Sequence, residues 1–330
     1  MKLITVEEHF APAQIPGVNV KRGAPPLIAD TMPGAPWLTD KGTAFDVGDK
    51  RLAYMDADGV TMQVISTPFA QSLSAEVAVD YCRRINDWLA EQVARHPDRF
   101  AGFAVLPTAV PGACAAELER AVKDLGLVGA LIGNRVGDGT GFLSDLQYED
   151  LLAKAEELES PLYLHPGEPP KGVTELCYNK GLSPDIMSVF SRYGYGWHID
   201  SGIHMLNLIL TGVFDRHPKL QVILGHWGEL LPFFIDRFDA AMPGSFLGIR
   251  HDPSFYLRNN MYVTPSGIFT PECLEFCVKV LGAERILFSI DYPFAASAGK
   301  EKILEHPMLT AEMAKLIAYG NAERLLRIKA

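Results

Sequence analysis

The first apolar run of the chain ends in two glutamates and a histidine, in the segment KLITVEEHF. If this run is a β-strand, side chains two positions apart share one face. Leu3, Thr5, Glu7 and His9 then point to one side of the strand, and Glu8 points to the other. A carboxylate and an imidazole side by side suit a divalent metal ion. A solvated strand end is the alternative, and residues elsewhere in the chain must decide between the two.

Three more polar side chains follow short apolar runs. They are His165 in YLHPGE, His226 in LGHWGE and Asp291 in SIDYPF. A buried histidine or aspartate costs free energy unless it is paired or bound to a metal. Each residue alone fits a hydrogen-bonded core position. Whether it has a chemical role therefore depends on the strand or helix that positions it.

Short apolar runs alternate with amphipathic segments through most of the chain. Short strands separated by helices indicate a parallel sheet, and eight such units favour an α/β fold of the (β/α)8 TIM barrel type. An open doubly wound sheet is the alternative, although no G-x-G-x-x-G follows the first strand as a dinucleotide-binding version would require. The predicted strands span residues 2–10, 60–67, 100–107, 127–133, 161–166, 220–226, 259–267 and 285–293.

In a barrel the carboxyl ends of all strands converge on one mouth, where active sites form. Glu7 and His9 end the first predicted strand, and His165, His226 and Asp291 end the fifth, sixth and eighth. The convergence of these four strand ends favours one metal site over separate core residues. Nitrogen and oxygen donors suit zinc, manganese or magnesium, and the sequence does not choose among these ions.

The chain length fits one barrel as well as two average domains, and 48% of its 330 residues are hydrophobic. We expect one metal-dependent barrel domain over residues 1–330. An irregular segment at about 11–50 is rich in proline and glycine. We expect it to act as a lid anchored by Phe10, Trp37 and Leu38, because long loops in compact domains are usually functional or disordered.

The net charge, the apolar runs and the cysteines limit the partners and the location that we expect for this protein. The net charge is −10, with no basic tract, so a nucleic-acid partner is not expected. No apolar run is long enough to cross a bilayer, and no signal peptide is recognisable, so we expect a cytoplasmic protein without a membrane partner. The five cysteines contain no CxxC pair and predict no disulfide framework.

Four motifs together, EEHF, YLHPG, LGHWGE and FSIDYPF, resemble the metal-dependent decarboxylase branch of the amidohydrolase superfamily. That branch includes the dihydroxybenzoate and γ-resorcylate decarboxylases and aminocarboxymuconate semialdehyde decarboxylase. The resemblance covers nearly the whole chain, with the motifs in the same order and at similar spacing. It implies the amidohydrolase type of (β/α)8 barrel.

The resemblance also implies roles for individual residues. Glu7 and His9 match the family's Glu-x-His metal pair, and His165 and Asp291 match its other two metal ligands. His226 and Glu229 match a pair beside the catalytic aspartate, and Arg237 matches an arginine near the substrate. No lysine follows the fourth strand, so a single metal ion is expected rather than a lysine-bridged pair. After Arg237 the chain departs from the resorcylate-type pattern, because it has Ala240 and Ala241. The resemblance therefore does not identify the substrate.

The resulting prediction is non-oxidative decarboxylation of a hydroxylated aromatic or related unsaturated carboxylate. One divalent ion (Zn²⁺, Mn²⁺ or Mg²⁺) chelates the substrate, and Asp291 protonates the ring carbon. Crowding by Glu7 raises the pKa of Asp291, whereas the charge of the ion lowers it. His226, held by Glu229, orients Asp291 or shares its proton. No organic cofactor is required.

The prediction also includes candidate substrate-binding residues, an oligomeric state and alternative functions. Trp227, Phe294 and Arg237 are candidates for binding the substrate, although Trp227 and Phe294 also fit simple packing and Arg237 a surface salt bridge. The resemblance implies a homodimer or homotetramer. A hydrolase that attacks a lactone or cyclic amide with metal-activated water is the alternative activity, and a metal-binding pseudoenzyme is the alternative class.

Overall fold

The computed structural model describes residues 1–11, 15, 18, 46–70 and 73–330, and its strands are short and all parallel. Most of the proposed lid at 11–50, including Trp37, lies outside the described residues. The strands are β1 (Ile4–His9), β2 (Met62–Ser66), β3 (Phe100–Gly102), β4 (Ala104–Val105), β5 (Ala130–Gly133), β6 (Leu162–His165), β7 (Val222–Leu224) and β8 (Met261–Val263).

Backbone hydrogen bonds close these strands into a ring. Strands β1 to β3 form one sheet and β4 to β8 form another. Phe103 joins β3 to β4, and its N–H donates to the Ile65 carbonyl, so 100–105 acts as the third predicted strand. On the other side, the extended segment 286–290 bridges β8 and β1: the Leu287 N–H donates to Val263 O at 2.9 Å, and the Val6 N–H donates to Phe288 O at 3.0 Å. The predicted (β/α)8 barrel is therefore confirmed.

Helices surround the ring, and the longer ones bury one face. In the long helix at 75–95, Ala78, Cys82, Ile85 and Leu89 are buried at three- and four-residue spacing, as an amphipathic helix requires. No described helix is long and apolar enough to span a membrane. The helices are α1 (Asp49–Asp58), α2 (Ala75–Arg95), α3 (Pro111–Lys123), α4 (Glu149–Glu157), α5 (Lys171–Val173), α6 (Pro184–Ser191), α7 (Gly196–Leu210), α8 (Val213–Arg216), α9 (His226–Glu229), α10 (Ile235–Ala241), α11 (Gly244–Leu247), α12 (Pro253–Asn259), α13 (Pro271–Leu281), α14 (Glu301–Leu304), α15 (Ala311–Lys315) and α16 (Asn321–Leu326).

A β-bulge in β1 changes which side chains face the barrel interior. The pairing with β2 slips by one residue between Thr5 and Glu8. Before the slip, Ile4 and Val6 pack in the interior and Leu3 packs in the outer layer. The prediction that Leu3 shares a face with Glu7 and His9 was therefore wrong, because it assumed that side chains alternate strictly along a strand without a bulge. Bulges commonly re-aim side chains beside active sites, as this one does.

Candidate metal centre

Four side chains from three parts of the ring meet at the mouth of the barrel. Glu7 and His9 come from β1, His165 ends β6, and Asp291 follows the segment 286–290. One donor atom from each lies within 4.8 Å of the others. His9 Nε2 is 3.1 Å from Asp291 Oδ1, and His165 Nε2 is 3.8 Å from Glu7 Oε1. The structure thus brings together all four residues that were predicted to bind a metal.

Three of the donor atoms are buried without a hydrogen-bond partner among the described residues. They are Glu7 Oε1, His9 Nε2 and Asp291 Oδ1. Buried polar atoms are nearly always satisfied, so three orphans at one point indicate a missing partner. A divalent cation with nitrogen and oxygen ligands satisfies all three, and the residues present therefore fit a metal ion.

Hydrogen bonds from outside the cluster orient the imidazole rings. His165 Nδ1 lies 2.7 Å from the Pro166 carbonyl oxygen, which can only accept. The Nδ1 of His165 therefore carries the proton, and its Nε2 presents a lone pair to the cluster. His9 Nδ1 lies 3.2 Å from Ser66 Oγ, which leaves its Nε2 facing Asp291.

Hydroxyl groups fix the second oxygen of Glu7. The Tyr163 and Ser266 hydroxyls donate short hydrogen bonds to Glu7 Oε2, and Thr264 Oγ1 lies 3.4 Å away. Tyr163 lies two positions before His165 on β6, so it faces the same side one layer deeper. That spacing could have identified Tyr163 from the sequence.

Burial dominates the electrostatics of the four side chains themselves. It raises the pKa of Glu7, despite opposing effects from His226 and His9. Burial also lowers the pKa of His9 to about 4 and that of His165 well below its usual value. The imidazoles are therefore neutral near pH 7, the form in which histidine binds metals.

A second group of titratable side chains borders the first. Glu229 accepts from both histidines beside it, with His198 Nδ1 at 2.7 Å from Oε2 and His226 Nδ1 at 2.9 Å from Oε1. His226 Nε2 faces Asp291 Oδ2 at 3.9 Å. His198 follows no strand in the sequence, and only the fold brings it beside Glu229.

The chain reaches this arrangement through an unusual backbone. His226, Trp227, Glu229 and Leu230 all have positive φ angles, between 47° and 68°. Such conformations cost free energy for residues with a Cβ and concentrate at functional sites. Here they turn His226 and Glu229 toward each other in the short α9 turn.

The second group sets the charge around Asp291. Burial opposes the charged form of His226, but Glu229 outweighs it and raises the pKa of His226 to about 9. Burial raises the pKa of Asp291 to about 7, against the attraction of His226 and His198. Burial, rather than crowding by Glu7, is therefore the main cause of the raised Asp291 pKa.

The predicted substrate contacts lie in different surroundings. The Phe294 ring is 5.4 Å from the His9 ring, at the edge of the cluster. Trp227 is 3% exposed in the outer layer and its Nε1–H donates to Ile268 O, which favours the packing interpretation. Arg237 is exposed on α10 and makes no ion pair with another described residue.

Arg135, in the loop after β5, is bound to another side chain. Its guanidinium binds the Asp200 carboxylate at 2.5 and 2.8 Å and lies over the Phe142 ring. Asn134 donates to the same carboxylate. This network ties the loop after β5 to α7 and leaves Arg135 little capacity for a ligand.

Comparisons with known proteins agree with the fold and the cluster. The amidohydrolase family model (Amidohydro_2) matches residues 9–328. The chain is 39% identical to decarboxylase orsB of Emericella nidulans, over 99% of this chain and 97% of that protein. It is 35% identical to γ-resorcylate decarboxylase of Rhizobium radiobacter, over 88% of each. Dihydroxybenzoic acid decarboxylase of Polaromonas sp. JS666, solved with manganese and 2-nitroresorcinol, superposes with a TM-score of 0.86 at 31% identity, over 99% of this chain and 97% of that one.

The chain belongs to the amidohydrolase family. Its relatives confirm the resemblance to the decarboxylase branch and the predicted class of enzyme, a carboxy-lyase. They support a divalent metal, and they do not support the hydrolase alternative.

Proposed function

We propose that this protein decarboxylates a hydroxylated aromatic or related unsaturated carboxylate without oxidation, using one divalent metal ion. The cluster of four donor side chains, with three buried atoms that have no hydrogen-bond partner among the described residues, is the observation that carries this proposal. In the overall reaction the carbon–carbon bond to the carboxylate breaks, carbon dioxide leaves, and a proton takes its place on the ring. No oxidant, reductant or organic cofactor is required.

Glu7, His9, His165 and Asp291 would hold the ion. The manganese in the Polaromonas relative makes Mn²⁺ the first ion to test, before Zn²⁺ and Mg²⁺. When bound, the ion supplies positive charge that binds the substrate carboxylate and favours ionisation of an adjacent hydroxyl.

Asp291 would supply the proton. Losing carbon dioxide directly would leave an unstable aryl anion, so the ring carbon must be protonated first. Before an ion binds, burial raises the pKa of the Asp291 carboxyl to about 7, so its surroundings favour the protonated form that donation requires. His226, protonated because its pKa is about 9, lies next to Asp291 Oδ2 and would replace the proton, with Glu229 holding the imidazolium in place.

The substrate side of the proposal involves Phe294 and Arg237. Phe294 would form a wall beside the ring, since it lies against His9. Arg237 would offset the charge of a carboxylate substrate through its forked donors. Trp227 would act by packing behind His226.

A homo-oligomer is the assembly that we propose. Phe233 and Phe234 are 55% and 51% exposed, immediately before the helix that carries Arg237. Exposed aromatic residues grouped in this way often mark a protein interface. Light scattering on the purified protein tests this part, and a monomer at all concentrations would contradict it.

Metal stripping and reconstitution test the function. Chelator-treated protein is reloaded with Mn²⁺, Zn²⁺ or Mg²⁺ and assayed for carbon dioxide release from a panel of hydroxybenzoates. We expect release only in the presence of an ion. Release that continues after complete metal removal would contradict the proposal.

A pair of histidine variants tests the site. His165→Ala should lose bound metal and turnover, whereas His251→Ala, an exposed histidine stacked on Phe255, should keep both. Equal metal content in the two variants, after loosely bound ions are removed, would exclude His165 from the site.

A further inference from the structure

Glu8 is a buried carboxylate that the proposed reaction does not use. It lies between Glu7 and His9 on β1, is 0% exposed, and points to the opposite side of the strand. The outer layer of the barrel is otherwise packed mainly with apolar side chains. A buried carboxylate in such surroundings is costly unless its oxygens are hydrogen-bonded.

Both oxygens of Glu8 accept hydrogen bonds from the backbone around Asp291. The Ile290 N–H donates to Oε1 at 3.0 Å, and the Tyr292 N–H donates to Oε2 at 3.0 Å. Glu8 therefore holds the N–H groups of the two residues that flank Asp291, which is both a proposed metal ligand and the proposed proton donor.

Asp291 needs this support because its backbone is in the left-handed region. Its φ angle is 70°, which is unfavourable for a residue with a Cβ and persists only when the surroundings enforce it. The carbonyl of Asp291 is fixed by the Phe294 and Ala295 N–H groups at 2.8 and 2.9 Å. Glu8 fixes the other side of the same turn.

Arg51 of α1 completes this support from the helix layer. It is also 0% exposed, and its Nη2–H donates to the His9 carbonyl at 2.5 Å. Its guanidinium lies 4.9 Å from the centre of the Tyr292 ring, and the Tyr292 carbonyl accepts from the His9 N–H at 2.7 Å. Arg51 thus contacts both β1 and the residue after Asp291, and it lies near the Glu8 carboxyl.

We propose that Glu8 and Arg51 are positioning residues that set the Asp291 carboxylate against His9. The hydrogen bonds through which they would act join the His9 carbonyl and the N–H groups of Ile290 and Tyr292, which flank Asp291. Their catalytic consequence rests on the proposed function, whereas their effect on metal binding does not.

The variant Glu8→Gln tests this directly. Glutamine keeps the size but can accept only one of the two N–H groups, and its own amide N–H₂ then faces the other donor. Glu117→Gln is the matched control, because Glu117 is a buried carboxylate, 4% exposed, that binds Asn86 and Arg120 away from the site. Both variants are titrated with Mn²⁺ by calorimetry after metal removal, and the Mn²⁺ electron paramagnetic resonance spectrum is recorded.

We expect Glu8→Gln to weaken Mn²⁺ binding by about ten- to hundredfold and to change the spectrum, as loss of groups that orient metal ligands does. At saturating Mn²⁺, kcat should fall more than KM changes. Glu117→Gln should bind Mn²⁺ as the wild type does, even if its melting temperature falls. Wild-type affinity in Glu8→Gln, or equal losses in both variants, would overturn the proposal.

A second variant, Arg51→Lys, tests the proposal if Glu8→Gln does not fold. Arg51→Lys keeps the charge but cannot reach the His9 carbonyl, Gln63 and the Asp46 carbonyl together, as the guanidinium does. It should also weaken Mn²⁺ binding, and unchanged affinity would count against the proposal. If the wild type binds Mn²⁺ but decarboxylates nothing, the proposed function fails while the affinity comparison still decides the role of Glu8.

Discussion

Lowering the pH should weaken metal binding by an amount that the structure allows us to calculate. Without metal, the pKa of Asp291 is about 7 and that of Glu7 is raised, both chiefly by burial. The pKa of His9 is about 4, so its imidazole stays neutral above pH 5. Protons therefore compete with the ion at the carboxylates, and the apparent dissociation constant rises as the pH falls.

The magnitude follows from one competing proton. A group with a pKa of about 7 weakens binding by a factor of about 1.1 at pH 8 and about 100 at pH 5, a difference of about 2.7 kcal/mol. Protonation of Glu7 in the same range would enlarge this difference. Metal binding at pH 6 should correspondingly release about one proton from Asp291.

Calorimetric titration of metal-free protein with Mn²⁺ measures both quantities. Runs at pH 5 to 8, in buffers of different ionisation enthalpy, give the affinity and the number of protons released. Circular dichroism at each pH confirms that the fold is unchanged. An affinity that stays within about twofold from pH 8 to pH 5, with no proton release at pH 6, would refute the reasoning, because Asp291 would then be ionised already or would not be a ligand.

Three further outcomes are expected. Asp291→Asn should keep its fold but lose turnover, since an amide donates no carboxylic proton, and substantial activity in a fully metallated variant would exclude Asp291 as the donor. Arg237→Ala should lower kcat/KM by at least about tenfold, because a charged hydrogen bond contributes roughly 1.5 to 3 kcal/mol; Arg84→Ala, at an exposed pair with Asp80, should change it little. Shortening the segment at 11–50 should lower kcat/KM, and unchanged kinetics would refute its role as a lid.

Strand periodicity and the positions of polar residues at strand ends were enough to predict the barrel and the cluster. His165 and Asp291 are far apart in the sequence, yet the carboxyl ends of parallel strands bring them to one mouth. That convergence, together with donor types that suit a divalent ion, predicted a metal site, and the family resemblance separated the four ligands from His226.

Local backbone departures were not predictable in the same way. The bulge in β1 reverses the facing of Leu3 relative to Glu7, and nothing in an alternating pattern marks where such a slip occurs. The hydrogen bonds of Glu8 to the turn around Asp291 depend on that slip and on tertiary contacts. Likewise, the pairing of His198 with Glu229 arises from the packing of α7 against α9.

The most direct test of the central claim follows the carboxylate carbon and the incoming proton together. Mn²⁺-loaded protein is incubated in D₂O with 2,6-dihydroxybenzoate labelled with ¹³C in its carboxylate, or with whichever hydroxybenzoate of the panel is turned over. We predict labelled carbon dioxide in equal amount to a product that carries one deuterium on the carbon that lost the carboxylate. Labelled carboxylate retained in every product, or carbon dioxide released without deuterium at that carbon, would contradict decarboxylation through protonation of the ring.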